Sequence, residues 1–198
     1  MTWKGLILPA LAIQPAFAGL CDLGAGSLRH QFSFLAGYSP QSATLIGTSL
    51  DRRFVLGAFE YSYRCWQPAP IAISFSPSLM PAAILLQPRE YVPAHAVYGF
   101  AVSPIGFTFE PARRHTLQPF FELRGGIIAS TERIPENVPD GTALNFQFNF
   151  GAGVQWKFSE TRALDLGYKF LHISNAFTTP VNPGVDSNIF YVGVSFFR

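Results

Sequence analysis

The chain has 198 residues, enough for one domain with a sizeable core, and a formal net charge of +2 leaves no basic footprint for nucleic acid. Charged residues make up 13% and aromatics 15%, with 20 Phe among them, an unusual balance for a soluble domain. No stretch approaches the ~20 apolar residues of a transmembrane helix, so a membrane-spanning form must be a closed β-barrel.

The N-terminus reads as an export signal. Lys4 gives a positive start, Leu6 to Ile13 is a short apolar run broken by Pro9, and Ala16-Phe17-Ala18 is an A-x-A cleavage site. This predicts a signal peptide over 1–18 and a single β-barrel domain over 19–198. Leu20 stands before Cys21, where lipoprotein processing needs a small residue, so a lipid-modified terminus is not expected. Cys21 and Cys65 are too few for a disulfide framework and lack metal spacing. In an oxidising periplasm they can pair.

Beyond residue 27 the recurring signal is β-type alternation in segments of about ten residues. Eight strands are predicted, at 28–38, 52–64, 70–86, 94–110, 116–129, 143–158, 161–174 and 187–197. Pro77 and Pro81 interrupt the third. The fourth changes phase near Ser103-Pro104-Ile105-Gly106, which predicts a bulge. In the sixth, Phe146, Phe148, Phe150, Val154, Trp156 and Phe158 share one face, and Asn145, Gln147, Asn149, Gln155 and Lys157 share the other. Glu122, Arg124, Asp165 and Lys169 fall on the equivalent polar faces of their strands. Polar residues inside and aromatics outside predict an eight-stranded antiparallel outer-membrane barrel. A soluble lipocalin-like carrier would need the reverse.

Connections alternate in length. Those at 65–69, 111–115 and 159–160 are short, and those at 39–51, 87–93, 130–142 and 175–186 are longer, as for periplasmic turns and external loops. With both termini periplasmic, the seventh strand runs outward. Cys21 and Cys65 are then both periplasmic.

The seventh strand carries the chemistry. Leu164, Leu166, Tyr168, Phe170, His172 and Ser174 share its greasy face. His172 can serve as base for Ser174 as nucleophile. Asp186, at the start of the last strand, has the parity of Phe190, Val192, Val194 and Phe196, so it projects to the same outer face. An acid there can orient the histidine. The plain alternative is a turn residue within Asn182-Pro183-Gly184-Val185-Asp186.

His172-Ile173-Ser174-Asn175-Ala176, followed by Asn182-Pro183-Gly184 and Asp186, resembles the active-site segment of lipid A 3-O-deacylases of the PagL type, also called acyloxyacyl hydrolase-like proteins. Ser103-Pro104-Ile105-Gly106, Pro119-Phe120 with Gly125-Gly126, and Asn145-Phe146 with Gly151-Ala152-Gly153 extend the likeness, which covers roughly residues 95 to 197. The resemblance implies an eight-stranded outer-membrane barrel that cleaves the ester-linked acyl chain at the 3-position of lipid A. It implies Ser174 as nucleophile, His172 as base, Asn175 as oxyanion stabiliser and Asn182 as a supporting polar residue. The acid position holds Glu in the best-known members and Asp186 here, a side chain shorter by one methylene. The implied partners are lipid A or lipopolysaccharide as substrate and outer-membrane lipids as surroundings. No nucleic acid, metal or other cofactor is expected, and a homodimer is left open. The competing reading is a non-catalytic small barrel with a structural or binding role.

The last expectation concerns insertion. Outer-membrane barrels usually end in an aromatic residue, and this chain ends Phe196-Phe197-Arg198, displaced by one.

Overall fold

The computed structural model describes residues 28–67, 69–86, 95–136, 138 and 140–198. The predicted signal peptide and Cys21 lie outside the described residues. Cys65 is disulfide-bonded, and Cys21 is the only other cysteine of the chain.

The strands are β1 (His30–Ser39), β2 (Ser42–Ala43), β3 (Arg53–Trp66), β4 (Ile71–Phe75), β5 (Ser78–Leu86), β6 (Ala96–Pro111), β7 (Leu117–Ile134), β8 (Thr142–Ser159), β9 (Arg162–Ser174) and β10 (Val185–Phe197). All pairings are antiparallel, and β1 pairs with both β3 and β10, which closes the sheet into a ring. β4 and β5 together fill one staves' place between β3 and β6. The ring therefore has eight staves and no free edge, the arrangement that satisfies every backbone group in lipid.

The third predicted strand is split where Pro77 stands. Proline has no N–H to give to a ladder. Its carbonyl still accepts from the Tyr61 N–H at 3.1 Å, and the Ser76 N–H reaches the Gly106 carbonyl at 2.8 Å, so the break is bridged on both sides. Pro81 stays within β5 at a register shift between Met80 and Ala83. The phase change in the fourth predicted strand is a register shift between Val102 and Ile105.

Alternation decides what faces lipid. On β8, Asn145, Gln147, Asn149 and Gln155 are buried in the lumen, while Phe146, Phe148, Val154, Trp156 and Phe158 are exposed on the outside. On β10, Val185, Ser187, Ile189, Tyr191 and Ser195 are buried, and Phe190, Val192, Val194 and Phe196 are exposed. Folding leaves this large apolar belt uncovered, which water would penalise and acyl chains accept.

The lumen is filled in layers. Glu60, Glu122, Arg124 and Lys169 form a buried network of two anions and two cations. Arg124 Nη2 lies 2.8 Å from Glu60 Oε2, and Lys169 Nζ lies 3.0 Å from Glu60 Oε1 and 2.8 Å from Glu122 Oε1. Arg124 Nη1 lies 2.5 Å from Glu122 Oε2. Such charges are tolerable only when paired. Towards the periplasm, Asp165 accepts from Gln155 Nε2 at 2.8 Å and from Ser195 Oγ. Towards the outside the filling is apolar rather than polar: Phe54, Leu56, Leu85, Ile128, Leu171, Ile173 and Ile189 make one cluster. The polar lumen expected from the sequence thus gives way to a hydrophobic plug in its outer part. Leu171 and Ile173 belong to that plug, so the wall behind His172 and Ser174 is backed by packed side chains.

Candidate active site

β9 sends Leu171 and Ile173 inward and His172 and Ser174 outward, through the two-residue period of a strand. Yet His172 and Ser174 are each only 8% exposed, unlike Leu166 at 57% on the same face. External loops cover this end of the outer wall.

Asp186 of β10 is the direct cross-strand partner of His172. His172 Nδ1 donates to Asp186 Oδ1 at 2.6 Å. The other carboxylate oxygen, Oδ2, accepts three successive backbone N–H groups, from Leu45 at 2.9 Å, Ile46 at 2.7 Å and Gly47 at 2.8 Å. A fully buried carboxylate needs such partners, and here both oxygens have them. With Nδ1 protonated towards Asp186, the neutral imidazole presents its Nε2 lone pair as a base.

The loop that supplies these amides follows β2, which pairs with β10 through Ala43 opposite Asp186 and Ser42 opposite Ser187. It then folds over the outside of the wall. Thr48 and Ser49 donate backbone N–H groups to the Gly184 carbonyl at 3.0 and 3.2 Å, and Ser49 Oγ reaches the Pro183 carbonyl at 2.9 Å. Close approach needs glycine on both sides. A Cβ on Gly47 would stand 2.4 Å from the Gly184 oxygen, and one on Gly184 would stand 2.6 Å from His172 Cε1.

Ser174 ends β9 opposite Phe146, and the Phe148 ring lies 6.0 Å from the His172 ring. Among the described residues the Ser174 hydroxyl has no hydrogen-bond partner, so the His172–Ser174 bond of a closed triad is not made here. Catalytic hydrogen bonds commonly tighten only with substrate in place.

Asn175 is held elsewhere. Its Nδ2 donates to Thr179 Oγ1 at 2.5 Å, to the Val181 carbonyl at 2.9 Å and to the Asp140 carbonyl at 3.0 Å, while its Oδ1 accepts the Phe177 N–H at 2.9 Å. The two hydrogens of this amide are shared among three acceptors that shape the 175–181 loop. The oxyanion role that the resemblance implies for Asn175 would draw on this same amide. The loop it ties is strained: Ala176 and Phe177 adopt left-handed φ values of 51° and 60° immediately after it. Such residues cost on the order of 1–3 kcal/mol each and persist where the surroundings enforce them. Asn182, by contrast, makes no hydrogen bond with any described residue, and its Oδ1 is buried.

One metal-type grouping occurs among the described residues. His95, Glu132 and Glu136 bring ligand atoms within 4.8 Å of one another at the outer ends of β6 and β7. His95 Nε2 is already paired with Glu132 at 2.8 Å, and burial pushes the Glu136 carboxyl above its ordinary range, against the pull of His95 and Arg52. None of the three belongs to the His172 site. The sequence separates His95 from Glu132 by 37 residues, so no spacing motif announced the group.

The amides of residues 45 to 47, which hold Asp186, are likewise invisible in the sequence. A backbone N–H has no sequence signature, and only Gly47 hints at a close approach.

The sequence matches the family described as Lipid A 3-O-deacylase (PagL) over residues 57–195. Two solved structures share the fold. The outer-membrane enzyme PagL is 16% identical with a TM-score of 0.61, the match covering 82% of this chain and 97% of that one. Neisserial surface protein A is 11% identical with a TM-score of 0.54, over 88% of this chain and 100% of that one. No curated protein sequence matches. The predicted eight-stranded antiparallel outer-membrane barrel is borne out by the closed ring of eight staves and by the fold shared with the outer-membrane enzyme PagL.

Proposed function

Since the chain belongs to the PagL family of lipid A 3-O-deacylases, we propose that it hydrolyses the 3-position acyl ester of lipid A in the outer leaflet through Ser174, His172 and Asp186. His172 Nε2 takes the proton of Ser174 Oγ as that oxygen attacks the ester carbonyl. The same proton passes to the leaving sugar oxygen, which departs as a hydroxyl. Water, deprotonated by His172, then attacks the acyl-serine; the Ser174 Oγ–acyl bond breaks, His172 returns the proton to Oγ, and a 3-hydroxy fatty acid is released. Asp186 holds the imidazole in the required tautomer and stabilises the imidazolium.

Asn182 takes the oxyanion role in this proposal. Its amide is uncommitted among the described residues, whereas that of Asn175 is consumed. Amide oxygen and nitrogen exchange by a simple flip, so an N–H can occupy the place of the buried oxygen. Loss of one such donor typically costs about 10²–10³ in rate.

The observation that carries the reading is the 2.6 Å His172–Asp186 pair on the lipid side of the barrel, buried beneath two loops. A barrel with only a structural or binding role has no use for an imidazole–carboxylate pair beside an unpartnered serine on that face. Phe146 and Phe148 flank the serine and histidine with aromatic surface suited to an acyl chain.

The test is mass spectrometry of lipid A from cells expressing the protein or its Ser174→Ala variant. Wild type should remove one 3-hydroxyacyl chain and the variant none. Identical lipid A from both overturns the proposal and favours the structural barrel.

A further inference from the structure

Asp186 does not orient His172 alone. We infer that the backbone of Leu45-Ile46-Gly47, in the first external loop, is a positioning element of the active site that acts through Asp186. This inference rests on the hydrolase reading above.

Three successive N–H groups converge on one oxygen, Asp186 Oδ2, at 2.7 to 2.9 Å. Successive amides turned to one point form a small anion-binding concavity. Its occupant here is a side chain of the site rather than a ligand. Clamping Oδ2 leaves the carboxylate one orientation, and that orientation points Oδ1 at His172 Nδ1. The clamp also explains how a short acid suffices. The loop is brought to Asp186 by β2 pairing with β10, and it is locked by Thr48 and Ser49 onto the Gly184 carbonyl. Gly184 in turn abuts the imidazole. One loop therefore fixes the acid directly and the base from its far side.

The same residues face two ways. Their N–H groups point to the acid, while the Leu45 and Ile46 side chains are 69% and 53% exposed. Backbone and side-chain roles are thus separable by mutation.

Ile46→Pro deletes one N–H, and Ile46→Ala keeps it while trimming the side chain. The readouts are lipid A deacylation in detergent micelles, separated into kcat and KM, and the rate at which a fluorophosphonate probe labels Ser174. Gel mobility with and without heating scores barrel folding, and Gly47→Ala, which wedges the loop off Gly184, replaces the proline variant if that does not fold. Ile46→Pro should be at least tenfold slower than Ile46→Ala in kcat and in labelling, with KM little changed. In an Asp186→Asn background, Ile46→Pro should add no further loss, because its effect runs through that carboxylate. Equal rates for the alanine and proline variants, or a full additional loss in the Asp186→Asn background, overturns the inference while leaving the hydrolase reading intact. If wild type neither deacylates lipid A nor labels at Ser174, the hydrolase reading itself falls, and this inference with it.

Discussion

Asp186 and His172 face each other across the β9–β10 ladder, and their side chains meet at 2.6 Å on the outer surface of the barrel. Directly opposed residues of antiparallel strands have Cα atoms about 4.5–5.5 Å apart. At that separation an aspartate reaches an imidazole without help from a longer chain. The one-methylene deficit relative to glutamate is met by register and by the loop amides that hold the second oxygen.

Replacing Asp186 should therefore be costly in two graded ways. Asp186→Asn keeps the size but loses the charge and offers N–H groups where acceptors are needed. A fall in kcat of about 10³–10⁴ is expected, as when the acid of other triads is neutralised. Asp186→Glu keeps the charge but drives the carboxylate into the 45–47 amides, and a displacement of about 1 Å can cost about 10²-fold. Initial rates of fatty-acid release measure both. An Asp186→Asn enzyme at the wild-type rate removes Asp186 from the mechanism.

How much of this was legible in the sequence depends on what carried the signal. Side-chain parity placed His172, Ser174 and Asp186 on one outer face, and the strands agree, because a period of two is rigid. Parity also set Glu122, Arg124, Asp165 and Lys169 in the lumen, where all four are buried. It could not foresee that His172 and Ser174 would be covered, because the covering loop begins more than 120 residues earlier. Nor could it separate Asn175 from Asn182. Both are loop asparagines, and only the folded loop shows that the Asn175 amide is consumed by Asp140, Thr179 and Val181. The apolar plug was hidden for another reason: parity sends Leu171 and Ile173 inward with Asp165 and Lys169, but it does not show that apolar residues of other strands meet them there.

Gly184 supplies a test of imidazole placement that leaves the chemical groups untouched. Gly184→Ala sets a methyl 2.6 Å from His172 Cε1, inside van der Waals contact. The ring must turn or shift, so a loss of about 10²-fold in kcat is expected by the same positional sensitivity. Barrel stability should change little, since Gly184 lies before β10 in an external loop. Heat-modifiable gel mobility and deacylation rate, taken together, check this. A fully active variant shows that the ring is not held where catalysis needs it.

The ionic layer is predicted to matter for folding and not for chemistry. Lys169→Met removes a cation that lies 3.0 Å from Glu60 and 2.8 Å from Glu122, leaving two carboxylates to Arg124 alone. Breaking a buried pair from one side typically costs about 3–5 kcal/mol. Urea unfolding in detergent or vesicles should show that loss, while the folded fraction deacylates at the wild-type rate. Glu122→Gln made together with Lys169→Met restores the charge balance and should recover part of the stability.

The outer belt makes a depth-dependent prediction. Leu166 sits in the lipid-facing stripe of β9 between Val154 and Val192, its partners on β8 and β10. Leu117 is as exposed but opens β7 beside a periplasmic turn, at the rim of the same surface. In water the two positions would accept arginine alike, since neither side chain packs into the lumen. In a bilayer, arginine costs roughly 2–4 kcal/mol near the midplane and falls to about 0–1 kcal/mol near the interface. Leu166→Arg should therefore destabilise the barrel in vesicles by several times more than Leu117→Arg, as read from denaturant unfolding of each. Because Leu166 lies on the same face as His172 and Ser174, that difference would also bear on the substrate. A face that penalises charge by depth lies across a bilayer, which puts its external end at the level of the lipids there. Equal penalties at the two positions would mean that this surface does not lie across a bilayer, and the site would lose its access to lipid A.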